Sequence, residues 1–270
     1  MLYFIIYNTQ TALDMKKALL FITLVLMVTT TANAQIRLGL SVGFLVANAS
    51  TKEPAIDYGG EGPVNDKVLS TFKFGILSEI PLAKSIVFMP EVNYVNKGVR
   101  QTYSNTIDFG QGETQTINGD ITIKMNYLEM PFNIAYKATT SSGIFFIGAG
   151  PVLSLGLSGK VKSNYKTTYT GGFSNSNSDT SFQSNIKFDG KKNEDITDPN
   201  DFDAHFKRLE MGANVFVGYA MVNGFFVKAM YNLAFSNINP QTNFSYKSSY
   251  LGIGVGFLFG DVDIPFIKRK

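Results

Sequence analysis

Apolar residues recur at every second position in eight stretches of this chain. In the first, Ile36, Leu38, Leu40, Val42, Phe44 and Val46 alternate with Arg37, Gly39, Ser41, Gly43 and Leu45. Successive side chains of a strand point to opposite sides, so a period of two reads as strand. The pattern predicts strands over 36–46, 71–80, 86–96, 126–137, 145–157, 208–219, 224–236 and 249–259. One parity holds no ionised side chain; it runs through Phe72, Phe74 and Ile76, then Leu128, Met130 and Phe132, and ends in Ile253, Val255 and Phe257. The other holds Lys73, Glu79, Glu91, Asn93, Glu129, Asn133, Arg208, Glu210, Asn214, Lys228 and Asn232, with glycines such as Gly148, Gly218 and Gly254 between them.

A charge facing lipid at mid-depth costs about 2–4 kcal/mol, so the uncharged parity suits acyl chains. The interior of an eight-stranded barrel just holds its own side chains, which leaves no room there for the bulky apolar set. The apolar parity therefore faces out, and glycines and charges face in. The connections alternate in phase: long (47–70), short (81–85), long (97–125), short (138–144), very long (158–207), short (220–223) and moderate (237–248). Bacterial outer-membrane barrels have short periplasmic turns and longer extracellular loops. The expected fold is all-β: an eight-stranded antiparallel transmembrane β-barrel with long extracellular loops and short periplasmic turns. Pro90, Pro131 and Pro151 fall inside strands, where each forfeits a ladder hydrogen bond, so bulges are expected there. With no tryptophan in the chain, the interfacial girdle falls to Tyr94, Tyr136, Tyr219, Phe235 and Phe259.

Upstream of these strands, Met15-Lys16-Lys17 opens a basic segment, Ala18 to Val28 is apolar, and Ala32-Asn33-Ala34 is a small-residue cleavage site. That is the pattern of a secretory signal peptide. Residues 1–34 are read as this leader, cut after Ala34, with 1–14 either an early start or an extended basic region. Residues 35–260 form the barrel domain and 261–270 a basic tail, and the destination is the outer membrane of a Gram-negative cell. The formal net charge is +3, one less once Asp14, Lys16 and Lys17 leave with the leader. So slight a charge gives no reason to expect a nucleic-acid partner. The absence of cysteine excludes disulfides and a lipid-modified cysteine.

Phe88-Met89-Pro90-Glu91-Val92-Asn93-Tyr94 with Lys97-Gly98, Tyr127-Leu128-Glu129-Met130-Pro131-Phe132, and Gly148-Ala149-Gly150-Pro151 resemble signature stretches of the PorT-like outer-membrane β-barrel family. Gly212 to Tyr219 and Tyr231-Asn232-Leu233 resemble its later strands, so the likeness covers nearly all of 35–260. It implies a small integral outer-membrane barrel, usually without an assigned activity, some of whose relatives are tied to protein secretion machinery. Such barrels often finish on an aromatic residue that the assembly machinery reads. Here the chain departs from the pattern, continuing past Phe259 through Phe266 to Lys268-Arg269-Lys270.

The best-defined polar set is the expected bore: Glu79, Glu91, Glu129 and Glu210 against Arg37, Lys73, Arg208 and Lys228. Buried charges require partners. An ion or proton path and a salt-bridged plug both fit, and the plug is favoured because eight strands leave no aqueous channel. His205, the one histidine, lies near Asp201 and Asp203 without a nucleophile-elbow serine, and reads as a solvated loop residue. Asp189, Glu194, Asp195, Asp198, Asp201 and Asp203 lack calcium-loop spacing and have Lys187, Lys191, Lys192 and Lys207 nearby to neutralise them. Gly171 to Ser178 is rich in turn formers and reads as a mobile tip. Gly252-Ile253-Gly254-Val255-Gly256 is a smooth barrel wall, not a dinucleotide fingerprint.

No catalytic, cofactor or metal residue is assigned. The expected role is a non-enzymatic membrane-anchored scaffold, recognition or adhesion surface, or secretion-associated component. Its expected partners are outer-membrane lipid, the barrel assembly machinery during biogenesis, and other envelope or secretion proteins. A barrel enzyme with a rim site and a soluble periplasmic barrel carrying a hydrophobic ligand are the alternatives.

Overall fold

The computed structural model describes residues 36–52, 65–171 and 176–260. The leader, the 261–270 tail and Phe266 lie outside the described residues, as do Gly172 to Asn175 of the turn-rich run. The strands are β1 (Arg37–Lys52), β2 (Asn65–Lys67), β3 (Leu69–Ala83), β4 (Ile86–Gly110), β5 (Glu113–Thr139), β6 (Gly143–Thr170), β7 (Ser176–Lys187), β8 (Ala204–His205), β9 (Leu209–Met221), β10 (Phe225–Ala234) and β11 (Ser245–Leu258). β1, β3, β4, β5, β6, β9, β10 and β11 pair antiparallel in chain order, and β11 returns to β1 with Val255 opposite Val42. Closure leaves the ring no unpaired edge, which is the condition for crossing hydrocarbon with strands. Among the described residues no helix is long and apolar enough to cross a membrane.

Sidedness follows the alternation. Leu38 and Ile253 are 62% and 63% exposed on the outer face, whereas Leu45 and Glu129 on the inner face are at 0%. Tyr136, Phe235 and Phe259 stand out from the wall near its ends, as the girdle requires. Pro90, Pro131 and Pro151 do not bulge their strands. Pairing is interrupted between Pro90↔Phe132 and Asn93↔Glu129, but the register is the same on both sides. The pyrrolidine nitrogen removes a donor without adding a residue, so a gap in the ladder suffices. Register shifts fall instead at Pro81/Ala83, Asp108/Gly110 and Asn126/Tyr127.

Two of the expected long loops are strand. β4, β5 and β6 run 25, 27 and 28 residues, far beyond the roughly 9–11 that span a bilayer. β4 and β5 meet at Gly110-Gln111-Gly112, all with positive φ, a tight turn that glycine makes accessible. β7 adds to the upper part of β6, and β2 to the upper part of β4. The result is a wall, ordered β2-β4-β5-β6-β7, standing above the rim on one side of the barrel. Ser176 to Ser178 of the expected mobile tip belong to β7. β8 then lies parallel to the end of β7.

The inner glycines have a packing role. A Cβ on Gly148 would sit 2.5 Å from the Phe216 ring, one on Gly218 2.4 Å from Phe146, and one on Gly256 2.3 Å from Phe226. The three rings meet across the bore, Phe146 to Phe216 at 6.0 Å and Phe146 to Phe226 at 6.3 Å between centroids. With Val87, Met89, Leu77 and Leu258 they form an apolar cluster next to the short turns. The bore is thus less polar than the sequence pattern suggests, because each glycine makes room for a ring from a neighbouring strand.

Candidate functional site

Above the aromatic cluster the bore turns ionic. Glu91 lies between Lys228 and Lys73, the latter at 3.4 Å, and accepts from Asn93 Nδ2 at 3.2 Å. Lys97 Nζ stands 3.0 Å from Glu210 and 3.5 Å from Glu129, with the Tyr127 ring 4.3 Å from it. The Tyr250 and Ser248 hydroxyls donate to Glu129 and Glu210. Towards the short-turn end Glu79 meets Arg37 at 3.6 Å and Lys137. Each carboxylate has a cation, as charges in a water-poor interior require.

Of the eight residues predicted for this network, seven take part and Arg208 does not. It is exposed in the bend before β9, and its carbonyl accepts Gly156 N–H at 2.8 Å, while among the described residues its guanidinium meets no carboxylate of the bore. Its parity matches Glu210, but the strand begins one residue later, at Leu209, so the alternation does not reach it. Lys97 fills the vacated role. Taken as a loop residue, it in fact continues the inward series Glu91, Asn93, Val95 along β4 and is 1% exposed at its side chain. Carrying the parity two positions beyond Val95 is the signal that finds it.

A second apolar cluster caps the outer mouth. Ala49, Val99, Met125, Tyr127, Ile186, Phe206, Ile238 and Tyr246 are all buried there, joined by Phe188. The segment after β7 crosses the mouth to build it, with Phe206 N–H donating to Lys187 O at 2.9 Å and Lys207 N–H to Ile238 O at 2.7 Å. His205 rides on this segment and is not solvated: its ring is 3% exposed, Nδ1 2.8 Å from Asp189 and Nε2 3.5 Å from Asp201. Both nitrogens face carboxylates and not a hydroxyl, which makes the residue a clasp and leaves no Ser–His arrangement. Lys187 reaches Asp201 at 2.8 Å and Asp203 at 3.1 Å. Its ammonium holds Asp201 below the usual carboxylate range. Asp189, Asp201 and Asp203 are thereby engaged by His205 and Lys187, and Glu194 by Lys192; among the described residues no group of acids and histidine is arranged to hold a metal.

The wall's outer face changes character rung by rung. Tyr94, Leu128 and Leu155 form the last paired apolar rung, with the bulged, exposed Leu157 just above it; next come Asn96, Asn126 and Ser158, then Gly98, Lys124, Lys160 and Asn185, then Arg100, Thr122, Lys162 and Gln183. Asn96 Nδ2 donates to Asn126 Oδ1 at 2.7 Å, and Asn126 Nδ2 to Ser158 Oγ at 3.0 Å, a polar line across three strands. Higher still, Thr102, Ser104, Asn118, Asp120, Asn164 and Asp179 border a trough of about 680 Å³. Arg100 grips Asp120 through two nitrogens and holds its carboxyl below the ordinary range.

A closed eight-strand ring with an apolar belt, a paired and capped bore and an extended outer wall defines an integral outer-membrane β-barrel. The family model described as "Outer membrane protein beta-barrel domain" matches residues 30–239, and the chain belongs to that family. No curated protein sequence matches the chain. Among solved structures, the attachment invasion locus protein Ail of Yersinia pestis, in complex with the heparin analogue sucrose octasulfate, is 10% identical, with 83% of this chain and 99% of that one covered at a TM-score of 0.33. Neisserial surface protein A is 16% identical, covering 82% and 97% at 0.30. The N-terminal β-barrel domain of OprF from Pseudomonas aeruginosa is 15% identical, covering 81% and 97% at 0.20. At such scores the assignment of architecture rests on the hydrogen-bonded ring of this chain itself.

Proposed function

We propose that this outer-membrane barrel is a non-enzymatic anchor whose β4–β7 wall is its working surface. It serves as a scaffold or recognition and adhesion element outside the cell, after export by a cleaved leader. The observation that carries the reading is the length of β4, β5 and β6, which continue as one hydrogen-bonded sheet well past the rim. A rigid sheet holds a binding surface at low conformational cost, which a mobile loop of equal length does not. Its outer trough offers hydroxyl, amide and carboxylate groups suited to a polar partner. The narrower resemblance to PorT-like barrels supports a form of this reading in which that partner belongs to secretion apparatus.

The bore, on this reading, is a sealed support and not a conduit, with ion pairs at mid-height between two apolar clusters. Purified protein in planar bilayers is expected to give no steady conductance, and stable nanosiemens-scale openings overturn the sealed bore. For the wall, residues 100–122 and 160–187 are replaced by short turns and the barrel is affinity-purified from outer membranes beside the full chain. Envelope proteins that leave with the full chain alone support the assignment; identical co-purification from both sinks it.

A further inference from the structure

Lys124, Lys160 and Lys162 line a depression of about 650 Å³ on the outer face of the wall, bordered by Asn96, Asn126 and Asn185. All three lysines are exposed, and among the described residues no ion pair joins them to a carboxylate. Lys124 and Lys160 are directly opposite one another on β5 and β6. Like charges in that relation repel and destabilise the pair of strands. The acids on this part of the wall are engaged elsewhere, Asp120 by Arg100 and Asp203 by Lys187. Among the described residues, therefore, no carboxylate neutralises this cluster of positive charge.

Its height identifies what does. Two residues along a strand advance about 7 Å, or about 5 Å along the membrane normal at a tilt near 40°. The Lys124/Lys160 rung lies two such steps, about 10 Å, above Leu128 and Leu155, and about 8 Å above the exposed, bulged Leu157. That is the level of the headgroups, and a lysine stem reaches several ångströms further down towards them. We infer that this depression binds the phosphorylated headgroup of an outer-leaflet lipid, whose acyl chains lie on the apolar belt directly below. The asparagine rung between belt and lysines supplies hydrogen bonds to the headgroup's polar frame. The inference needs the outer-membrane placement alone and stands apart from the recognition role proposed for the upper wall.

The test uses full-length protein in detergent micelles, titrated with bisphosphorylated lipid A at low salt and followed by native mass spectrometry. Lys124→Gln/Lys160→Gln/Lys162→Gln is expected to weaken binding about 100-fold, at about fivefold for each charge removed near a headgroup layer. The corresponding triple Lys→Arg variant keeps the wild-type affinity, and lipid A stripped of phosphate binds the wild type as weakly as intact lipid binds the Gln variant. Without lipid, the Gln variant unfolds at a higher midpoint, since the opposed charges are gone. Equal affinity of wild type and Gln variant overturns the site, as does a lowered lipid-free midpoint. A soluble glucosamine bisphosphate that competes as well as intact lipid A overturns the lipid as its source.

Discussion

Below the Asn96–Asn126–Ser158 rung and above it, the same strands obey opposite rules. On β5 the membrane part turns Leu128 and Met130 outward and Glu129 and Asn133 inward. Seven residues earlier in the strand the outer face holds Thr122, Asp120 and Asn118, and the inner one Ile123, Ile121 and Gly119. What lies outside decides the pattern: lipid excludes charge from the outer face of the barrel, and water welcomes it on the outer face of the wall. Interiors differ too, since the bore carries paired charges and the wall's inner face carries tyrosine and isoleucine. A substitution should therefore be judged by which side of that rung it lies on.

The largest contrast comes from the bore. Lys97→Met leaves Glu129 and Glu210 without their shared cation, and breaking a buried pair in this way costs about 3–5 kcal/mol. On the wall, Arg100→Met breaks an exposed pair with Asp120 and should cost about 1 kcal/mol or less. Reversible urea unfolding in lipid vesicles measures both, and equal losses would erase the distinction between the two regions. Next in size is a charge on the outer face. Ile253→Arg faces acyl chains and should destabilise by about 2–4 kcal/mol. Thr116→Arg, on the outer face of the wall, should stay within about 0.5 kcal/mol of wild type.

Glycine substitutions make a smaller but sharper test. Gly218→Ala puts a methyl 2.4 Å from the Phe146 ring, which Phe216 and Phe226 hold in place. Overpacking of this kind costs about 1–3 kcal/mol. Gly119→Ala also meets a ring, Tyr103 at 2.1 Å, but that ring is half-buried on the wall, beside Tyr165 at 6.2 Å between centroids, and is not enclosed by rings across a bore. Its cost should fall below that of Gly218→Ala by a margin that the same unfolding assay resolves. Were Gly119 the costlier site, the wall would be packed as tightly as the bore.

The barrel was legible because lipid imposes a uniform demand on one parity, and eight stretches answer it. Seven of the eight predicted bore charges follow from that parity alone. Lys97 was hidden because the pattern was read as ending where the outer face stops being apolar, at Asn96. The β4–β5 hairpin continues under a different rule, visible only in the β-branched Ile117, Ile121, Thr122 and Ile123 of β5 and in the Gly110-Gln111-Gly112 turn. Arg208 misled for the converse reason, as parity was extended across a bend. The mouth cap had no signature at all. Phe206 and Ile238 are single apolar residues in polar segments, and only the three-dimensional path brings them together over Met125 and Tyr127.

The weakest link, and the last to test, is the clasp that holds that cap. Lys187 and His205 share Asp201, with Asp203 and Asp189 completing the contacts. Hydrogen bonding to Lys187 sets Asp201 below its ordinary range, so this carboxylate stabilises the clasp above the unfolded value of about 4 and loses its effect as pH falls through the lower folded one. Lys187 is shifted upward by the same contact, so its contribution is complete below about 10 and fades as pH rises beyond. The clasp should hold across neutral pH and open in acid. Asn185 N–H donates to Asp203 Oδ1 at 3.0 Å and Asp203 N–H to Asp201 Oδ1 at 3.2 Å, so their exchange protection reports it directly. Protection at both amides should hold down to about pH 4 and fall as pH drops below it, while that of Val215, in the ring, stays constant. Lys187→Met should reproduce the acid result at neutral pH. If the two amides keep their protection in acid, the cap is held by Phe206 and Ile238 alone and the charges around it are incidental.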